Sequence, residues 1–208
     1  MATIPRPIPS DIAFTPTVKA FQQRKGSRHA YARMEQSRGW PNAITPELQG
    51  FIAEIRSFYL ATANADGQPY IQHRGGPVGF LHVLDAQTLA FADFSGNKQF
   101  ITSGNLADNP KAFIFLMDYA HRQRIKIWGE ARIVDDQPEL LQRLMPTDYP
   151  AKAEQVVVFK VLAWDANCPQ HIPVRFEAAQ VKAALDERDA RIRALEQEVA
   201  RLKAPAHD

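Results

Sequence analysis

From Ile125 to Ile133 the chain alternates. Ile125, Ile127, Ala131 and Ile133 fall on one parity, with Gly129 among them, while Lys126, Trp128, Glu130 and Arg132 fall on the other. Period two leaves little besides a β-strand with one face buried, because a helix would scatter the same residues around its surface. Such a strand needs neighbours, and the flanking sequence supplies them. Residues 58–63 are apolar and β-prone, and Asn64-Ala65-Asp66-Gly67 carries a hairpin turn into a second extended segment, 69–74, which ends at Gly75-Gly76-Pro77. Segments 80–84 and 88–94 flank Asp85-Ala86-Gln87, segments 112–118 and 122–134 flank Tyr119-Ala120-His121, and 155–164 supplies a sixth or seventh strand. Successive strands joined by tight turns make an antiparallel sheet, and this many favour closure into a barrel. The fold class is α+β, mainly β: a small antiparallel barrel with peripheral helices.

Helices are expected at the margins. The first 45 residues read as a proline-rich lead followed by broken helix, ending at Gly39-Trp40-Pro41. A cleaner helix starts after Thr45, an N-cap with Pro46 at the first helical position, and Leu48, Phe51, Ile52 and Ile55 mark its apolar face. A short helix is expected over 138–145. From Val181 a seam steps by four and three: Leu185, Ile192 and Val199 at a, Val181, Leu195 and Leu202 at d, interrupted by Arg188. β-branched a residues with leucine at d favour a parallel two-stranded coiled coil, and Arg191 with Glu196, and Glu198 with Lys203, match across g and e. The same seam also suits an amphipathic helix packed on its own barrel. The domains are therefore an arm (1–45), a barrel (46–175) and a C-terminal helix with tail (176–208).

Charge narrows the function classes. The chain has 208 residues and a net charge of +2, but the balance is uneven. The arm holds Arg6, Lys19, Arg24, Lys25, Arg28, Arg33 and Arg38 against Asp11 and Glu35, whereas acids and bases balance over 177–203. A basic arm without aromatic interleaving or a recognised motif reads as a solvated helical face rather than a nucleic-acid site. The single cysteine, Cys168, excludes an intrachain disulfide and any multi-cysteine metal site, and fits a reducing, cytoplasmic setting. No apolar run spans a bilayer, and the proline-bearing start lacks the apolar core of a signal peptide. Neither a P-loop, a G-x-G-x-x-G, an H-E-x-x-H nor a G-x-S-x-G occurs, and the six histidines have no metal-ligand spacing. Cys168 with His171, in a Pro-bounded loop, reads as structural rather than as a nucleophilic pair.

Two local arrangements carry chemistry. The strand 88–94 runs into Ser95-Gly96-Asn97-Lys98, and 99–106 then has helical spacing. A strand, a small polar loop, a lysine and a helix N-terminus make an anion site, since free backbone N–H groups and the dipole converge with a full positive charge. An ordinary N-cap at Ser95 with a solvated lysine fits the same residues. Gln72-His73-Arg74-Gly75-Gly76 ends another strand in cations and paired glycines, which either admit a planar or phosphorylated ligand or bend the strand for barrel closure. Arg124, opening the long alternating strand, is a third cation able to converge there. The three together suit a mononucleotide.

At these residues the sequence resembles the pyridoxamine 5′-phosphate oxidase-like family of FMN-binding split barrels. The likeness runs from about Phe51 to Val134. It takes in Gly67-Gln68-Pro69-Tyr70, Gln72-His73-Arg74, the run Phe91-Ala92-Asp93-Phe94-Ser95-Gly96-Asn97-Lys98, Asn109-Pro110 and the run from Arg124 through Trp128-Gly129-Glu130-Ala131. The resemblance implies a six-stranded Greek-key split barrel, a homodimer, and FMN at the dimer interface. The implied cofactor-binding set is Gln72, His73, Arg74, Gly75, Ala92, Asp93, Gly96, Asn97, Lys98 and Arg124. Gln72 to Arg74 line the isoalloxazine, Asn97 and Lys98 meet the phosphate, and Arg124 approaches the ring from the next strand. Gln72 and Asn97 stand where the true oxidases carry arginine. Trp164 and Arg175 are counterparts of the residues that close the oxidases' substrate pocket, but the coiled-coil tail departs from them and argues against pyridoxamine phosphate as substrate.

The implied function is an FMN-dependent oxidoreductase acting on a small molecule, with hydride transfer at flavin N5 and no side chain required as acid or base. Two other classes fit the same residues: a non-catalytic flavin-binding or storage dimer, and a related barrel holding haem or a deazaflavin. An absorption spectrum separates them.

Overall fold

The computed structural model describes residues 8–166 and 169–203, so Cys168, and with it the Cys168–His171 pair, lies outside the described residues. The chain falls into two compact units, one of residues up to 118 together with 123–169, the other of 119–122 and 170 onward.

The first unit begins with a 3₁₀ turn at Pro9–Ile12, α1 (Pro16–Arg24) and α2 (Arg28–Ser37). Thr15 caps α1 through its hydroxyl, which accepts the Val18 N–H at 3.3 Å, and Pro16 at the first helical position has no N–H to orphan. Trp40 then fastens the arm: it is buried, stacks on Trp128 at 4.6 Å between centroids and meets Phe14 at 4.9 Å. The helix expected after Thr45 is α3 (Pro46–Glu54), with Leu48 N–H donating to the Thr45 hydroxyl and Leu48, Ile52 and the following Ile55 buried.

Seven strands follow: β1 (Ser57–Ala63), β2 (Pro69–Gly75), β3 (His82–Asp85), β4 (Thr88–Phe94), β5 (Lys111–Asp118), β6 (Gln123–Val134) and β7 (Ala153–Ala166). Two further helices interrupt them, α4 (Ile101–Asp108) and α5 (Pro138–Leu144). All pairs are antiparallel, in the order β2-β1-β5-β6-β7-β4-β3. The resemblance implies six strands, and the structure has seven. The shortest is β3, which pairs with β4 alone after Phe80 and Leu81 have turned into the core, so its hairpin adds a short edge rather than a wall.

This sheet is curled into a barrel, as one ring pair shows. Phe58 on β1 and Phe91 on β4 lie four strand spacings apart, about 19 Å on a flat sheet. Their rings meet edge to face with centroids 5.2 Å apart. Alternate residues of β1, β4, β5, β6 and β7 fill the enclosed space: Phe58 and Leu60, Leu89 and Phe91, Ile114 and Leu116, Ile125 and Ile127, Val157, Phe159 and Val161. β2 and β3 remain unpaired on their outer edges, so the barrel is split there. A smaller cluster lies on the other face, where Leu144 of α5 packs with Ala90, Ala92, Val134 and Val156.

Gly129 has a steric reason. A Cβ there would stand 2.1 Å from the Lys160 carbonyl oxygen and 2.4 Å from the Phe159 ring, where the β6–β7 register shifts. The second unit contains α6 (Ala178–Lys203), none of whose residues is buried, and the Arg175 guanidinium lies 4.8 Å over the Tyr119 ring. Among the described residues no helix is long and apolar enough to cross a membrane, and no group of His, Cys, Asp or Glu is arranged to hold a metal ion.

Candidate functional site

The split between β2 and β4 is bridged by side chains, and they build the site. On β2 the residues alternate, with Tyr70, Gln72 and Arg74 half-buried and paired across the ladder with Thr62, Leu60 and Phe58 of β1. β4 comes to the same seam from the far end of the sheet with Asp93, which is buried. On a flat sheet Arg74 and Asp93 would be about 24 Å apart, five spacings. They form an ion pair with both side chains 11% exposed. The other Asp93 oxygen accepts from Gln155 Nε2 at 2.8 Å, which also donates to Ser103 Oγ at 2.9 Å, joining β7 and α4 to the bridge. Thr102 Oγ1 donates to Gln72 Oε1 at 2.8 Å, and buried Asn105 donates to Thr62 Oγ1 at 2.9 Å. One face of α4 thus closes the split with polar groups, each of which has a partner.

Two adjoining cavities open along this seam. The larger, about 210 Å³, is lined by Gln72 to Gly75, Phe80, Phe91 to Phe94 and Gly96. The smaller, about 50 Å³, lies between Tyr70, Gln72 and Arg74, the loop from Gly96 to Phe100, and the first turn of α4, with Glu154 at its side. Nine of the ten sequence-expected residues line one or both: Gln72, His73, Arg74, Gly75, Ala92, Asp93, Gly96, Asn97 and Lys98. Arg124 does not. It lies on β6 opposite Met117, on the outward parity of that strand, with β5 and β1 between it and β2. Its separation follows from the strand order.

The loop to α4 resolves the two readings of Ser95. This residue is no N-cap: its hydroxyl donates to Glu154 at 2.9 Å, its N–H to the Lys152 carbonyl at 2.7 Å, and the helix starts six residues later. Phe100 holds the N-cap position of α4 with no side-chain cap, so the first N–H groups of the helix face the cavity wall without an internal acceptor. Lys98 and Phe100 both have positive φ, 57° and 51°. Left-handed backbone at two non-glycine residues so close together is costly, and such strain collects at ligand-gripping loops. Asn97 Oδ1 accepts the Gln99 N–H at 3.3 Å and steadies the turn. No carboxylate pairs with Lys98 among the described residues, whereas the charge of Arg74 is already matched by Asp93.

Four buried side-chain atoms lack a hydrogen-bond partner among the described residues: Ser10 Oγ, Glu35 Oε1, Arg74 Nε and Arg124 Nε. Two of the four belong to arginines picked out from the sequence. A buried N–H donor without an acceptor costs roughly 1–3 kcal/mol, which a ligand oxygen would recover.

The paired glycines have a packing reason. A Cβ at Gly76 would come within 2.6 Å of the Phe80 ring, which stacks on Phe58 at 5.5 Å. Trp164 sits apart from the seam: its Nε1 donates to the Ala43 carbonyl at 2.8 Å, and it lines a different cavity, about 580 Å³, with Phe14, Tyr31, Trp40 and Lys126. Tyr70, Thr102, Ser103, Glu154 and Gln155 line the seam without belonging to the cofactor-binding set expected from sequence. Tyr70 shares the period-two parity of Gln72 and Arg74 on β2, and Thr102 and Ser103 lie in the first turn of α4, so a local signal marks all three. Glu154 and Gln155 reach the seam only through the register that sets Asp93 opposite Gln155.

Comparison with known proteins follows the same part of the chain. Residues 44–168 match the family model described as pyridoxamine 5′-phosphate oxidase. No curated protein sequence matches. Among solved structures, HupZ of Group A Streptococcus is 20% identical over 64% of this chain and 99% of its own, with a TM-score of 0.46. An FMN-binding protein from Syntrophomonas wolfei is 17% identical, covering 70% of this chain and 97% of its own, at a TM-score of 0.43. HutZ, the heme storage protein from Vibrio cholerae, is 16% identical over 57% and 89%, at 0.39.

Proposed function

The chain belongs to the pyridoxamine 5′-phosphate oxidase family, and from that premise we propose that it binds FMN at the β2–β4 seam and works as a flavin-dependent oxidoreductase on a small molecule. The observation that carries this reading is the orphaned Nε of Arg74, held beside a groove whose far end carries Lys98 and the uncapped start of α4. The residues fit the group. A phosphomonoester needs a cation and several N–H or O–H donors, and Lys98, the N–H groups of the first turn of α4 and the hydroxyl of Ser103, which only accepts from Gln155, supply them. The isoalloxazine needs a flat, mostly apolar slot with donors along one edge. Phe91, Ala92 and Phe80 provide the slot, and Arg74 and Gln72 provide the edge.

Flavin, when bound, supplies the redox chemistry by exchanging a hydride at N5. What this chain contributes is placement and field. Asp93, itself held by Gln155, fixes the Arg74 guanidinium in one orientation before a ligand arrives. Lys98 anchors the phosphate, and the Thr102–Gln72 bond ties the anchoring helix to the strand that lines the ring. Arg74 also favours negative charge developing on the ring edge nearest it, which is the direction in which reduction drives the flavin.

A groove of about 210 Å³ is smaller than the 300–1,000 Å³ typical of a complete small-molecule pocket. This favours a site shared by two copies of the chain, with the outward-facing Arg124 of one copy approaching the flavin held by the other. The lone cysteine fits a cytoplasmic setting.

Spectroscopy of the purified protein tests the reading directly. Flavin bands in the blue and near ultraviolet, or their appearance and fluorescence quenching on adding FMN, are expected, followed by bleaching with a reduced nicotinamide donor. Colourless protein that takes up no FMN would overturn the proposal, and a Soret band would replace flavin with haem. Stoichiometric FMN that no donor reduces would move the protein to flavin binding without turnover.

A further inference from the structure

The most exposed apolar surface of the described chain is a stripe on α6. Val181, Leu185, Ile192, Leu195, Val199 and Leu202 are between 44% and 70% exposed, and no residue of this 26-residue helix is buried. At 1.5 Å per residue the helix runs for about 39 Å. A solvated helix of that length with an apolar stripe broken only at Arg188 has an unmet need for a partner.

We propose that this stripe is an interface with α6 of a second copy of the chain, and that the two helices pair parallel and in register as a two-stranded coiled coil. The spacing sets the geometry. The stripe follows steps of four and three, the 3.5-residue repeat that keeps a seam facing a partner along a left-handed supercoil. A helix lying on a barrel wall would have no need of so narrow a stripe, since globular helices bury a broader face.

Charge sets the orientation. In a parallel pair, Arg191 of one copy faces Glu196 of the other, and Glu198 faces Lys203, two attractions on each side of the seam. Glu198 is already held by Arg201 of its own helix at 2.6 Å, which keeps its carboxylate extended along the same flank. An antiparallel pair that aligns Leu185 with Leu202 keeps one attraction, Arg191 with Glu198, but sets Asp189 against Glu196 and Lys182 against Lys203, like charge against like. Arg188 occupies the remaining d position. In the parallel, in-register pair it lies beside Asp189 of the other copy, a polar layer that fixes register at some cost in stability. The inference uses the helix alone and is independent of what the barrel binds.

Cysteine cross-linking in the full-length protein tests the pairing. With Cys168→Ser as background, Leu185→Cys and Val199→Cys place thiols at successive a positions, where a parallel in-register pair brings like residues together. Ala190→Cys, on the outer face, is the control. Under mild oxidation the two seam variants should form disulfide dimers at least ten-fold faster than the control, and adding Ile192→Asp should abolish the difference. Equal rates at seam and control positions, or no dimer at either seam position, would overturn the proposal, the second outcome being that of an antiparallel pair or of a helix folded onto its own chain.

Discussion

Lys98 allows the backbone and the side chain of one residue to be tested separately. Its φ of 57° places it in the left-handed region, where a side chain costs about 1 kcal/mol and glycine costs nothing. Its ammonium is exposed and carries no carboxylate partner among the described residues, so its charge does little for the fold on its own. Lys98→Ala removes the charge and keeps the backbone penalty. Lys98→Gly removes both, at the cost of a looser unfolded chain. The apo protein should therefore rank glycine above alanine by about 0.5 kcal/mol, with wild type close to alanine. FMN affinity should rank differently. A hydrogen bond to a charged group is worth about 1.5–3 kcal/mol, and exposure lowers this to about 1–2 kcal/mol, so both variants should bind FMN roughly 5- to 30-fold more weakly than wild type. Urea unfolding of the apo protein and flavin-fluorescence titration read the two quantities. Because the lysine term is electrostatic, the gap in affinity should narrow in about 0.5 M salt. If both variants keep wild-type affinity, the phosphate does not lie at this loop. If affinity follows apo stability, the loop acts through its strain and Lys98 touches no ligand.

Three other perturbations probe the frame around the site. Asp93→Ala strips the partner from Arg74, whose side chain is 11% exposed, and should lower apo stability by about 3 kcal/mol in urea unfolding, the cost of an unpaired buried charge. Gly129→Ala drives a Cβ to 2.1 Å from a carbonyl oxygen between two long strands; a loss of about 3 kcal/mol or insolubility is expected, and an unchanged urea midpoint would show that β6 and β7 are not so closely apposed. Burial holds the His82 imidazole below its ordinary value, with repulsion from Arg143 adding and a backbone bond to Leu144 opposing. The folded state thus takes up a proton less readily than the unfolded one, so His82 costs nothing above pH of about 6.5 and destabilises the fold as pH falls below it. His82→Gln should flatten that acid limb of the stability profile, and an equal slope in both proteins would remove His82 as its source.

What the sequence revealed and what it hid divide along a physical line. The strands were legible because each carries its own period and its own punctuation: β4 lies at residues 88–94 as expected, and α3 starts at the Thr45-Pro46 cap. Nine residues that line the candidate site were legible for a related reason, since they lie on two continuous runs, 72–75 and 92–98, whose chemistry is visible locally. The failures all depend on distance. Ser95 has the composition of an N-cap, and only the β4–β7 pairing, which brings Glu154 and Lys152 alongside, takes its hydrogen bonds elsewhere. Gly76 has the composition of a ligand-binding glycine, and only the fold brings the Phe80 ring against it. Gln155 has no local signal at all.

Arg124 shows how such a distance-dependent failure can still be informative. Grouped by charge alone, it joins Arg74 and Lys98; grouped by strand order, it cannot, because β1 and β5 lie between β6 and β2 and its parity points outward. Its buried Nε nevertheless has no partner among the described residues, the same condition as Arg74 Nε. On the proposed shared site, the two arginines, which lie on different faces of one barrel, belong to two half-sites that face each other across a pair of chains. Arg124→Ala then has a distinctive expectation. It should weaken FMN binding although no residue of its own chain's groove has changed. In hybrids of Arg124→Ala with Lys98→Ala subunits, half of the sites should carry both lesions and half neither, so that one site per hybrid dimer regains near wild-type affinity. Hybrids in which every site stays weakened would place Arg124 and Lys98 at the same chain's ligand, and the shared site would be wrong.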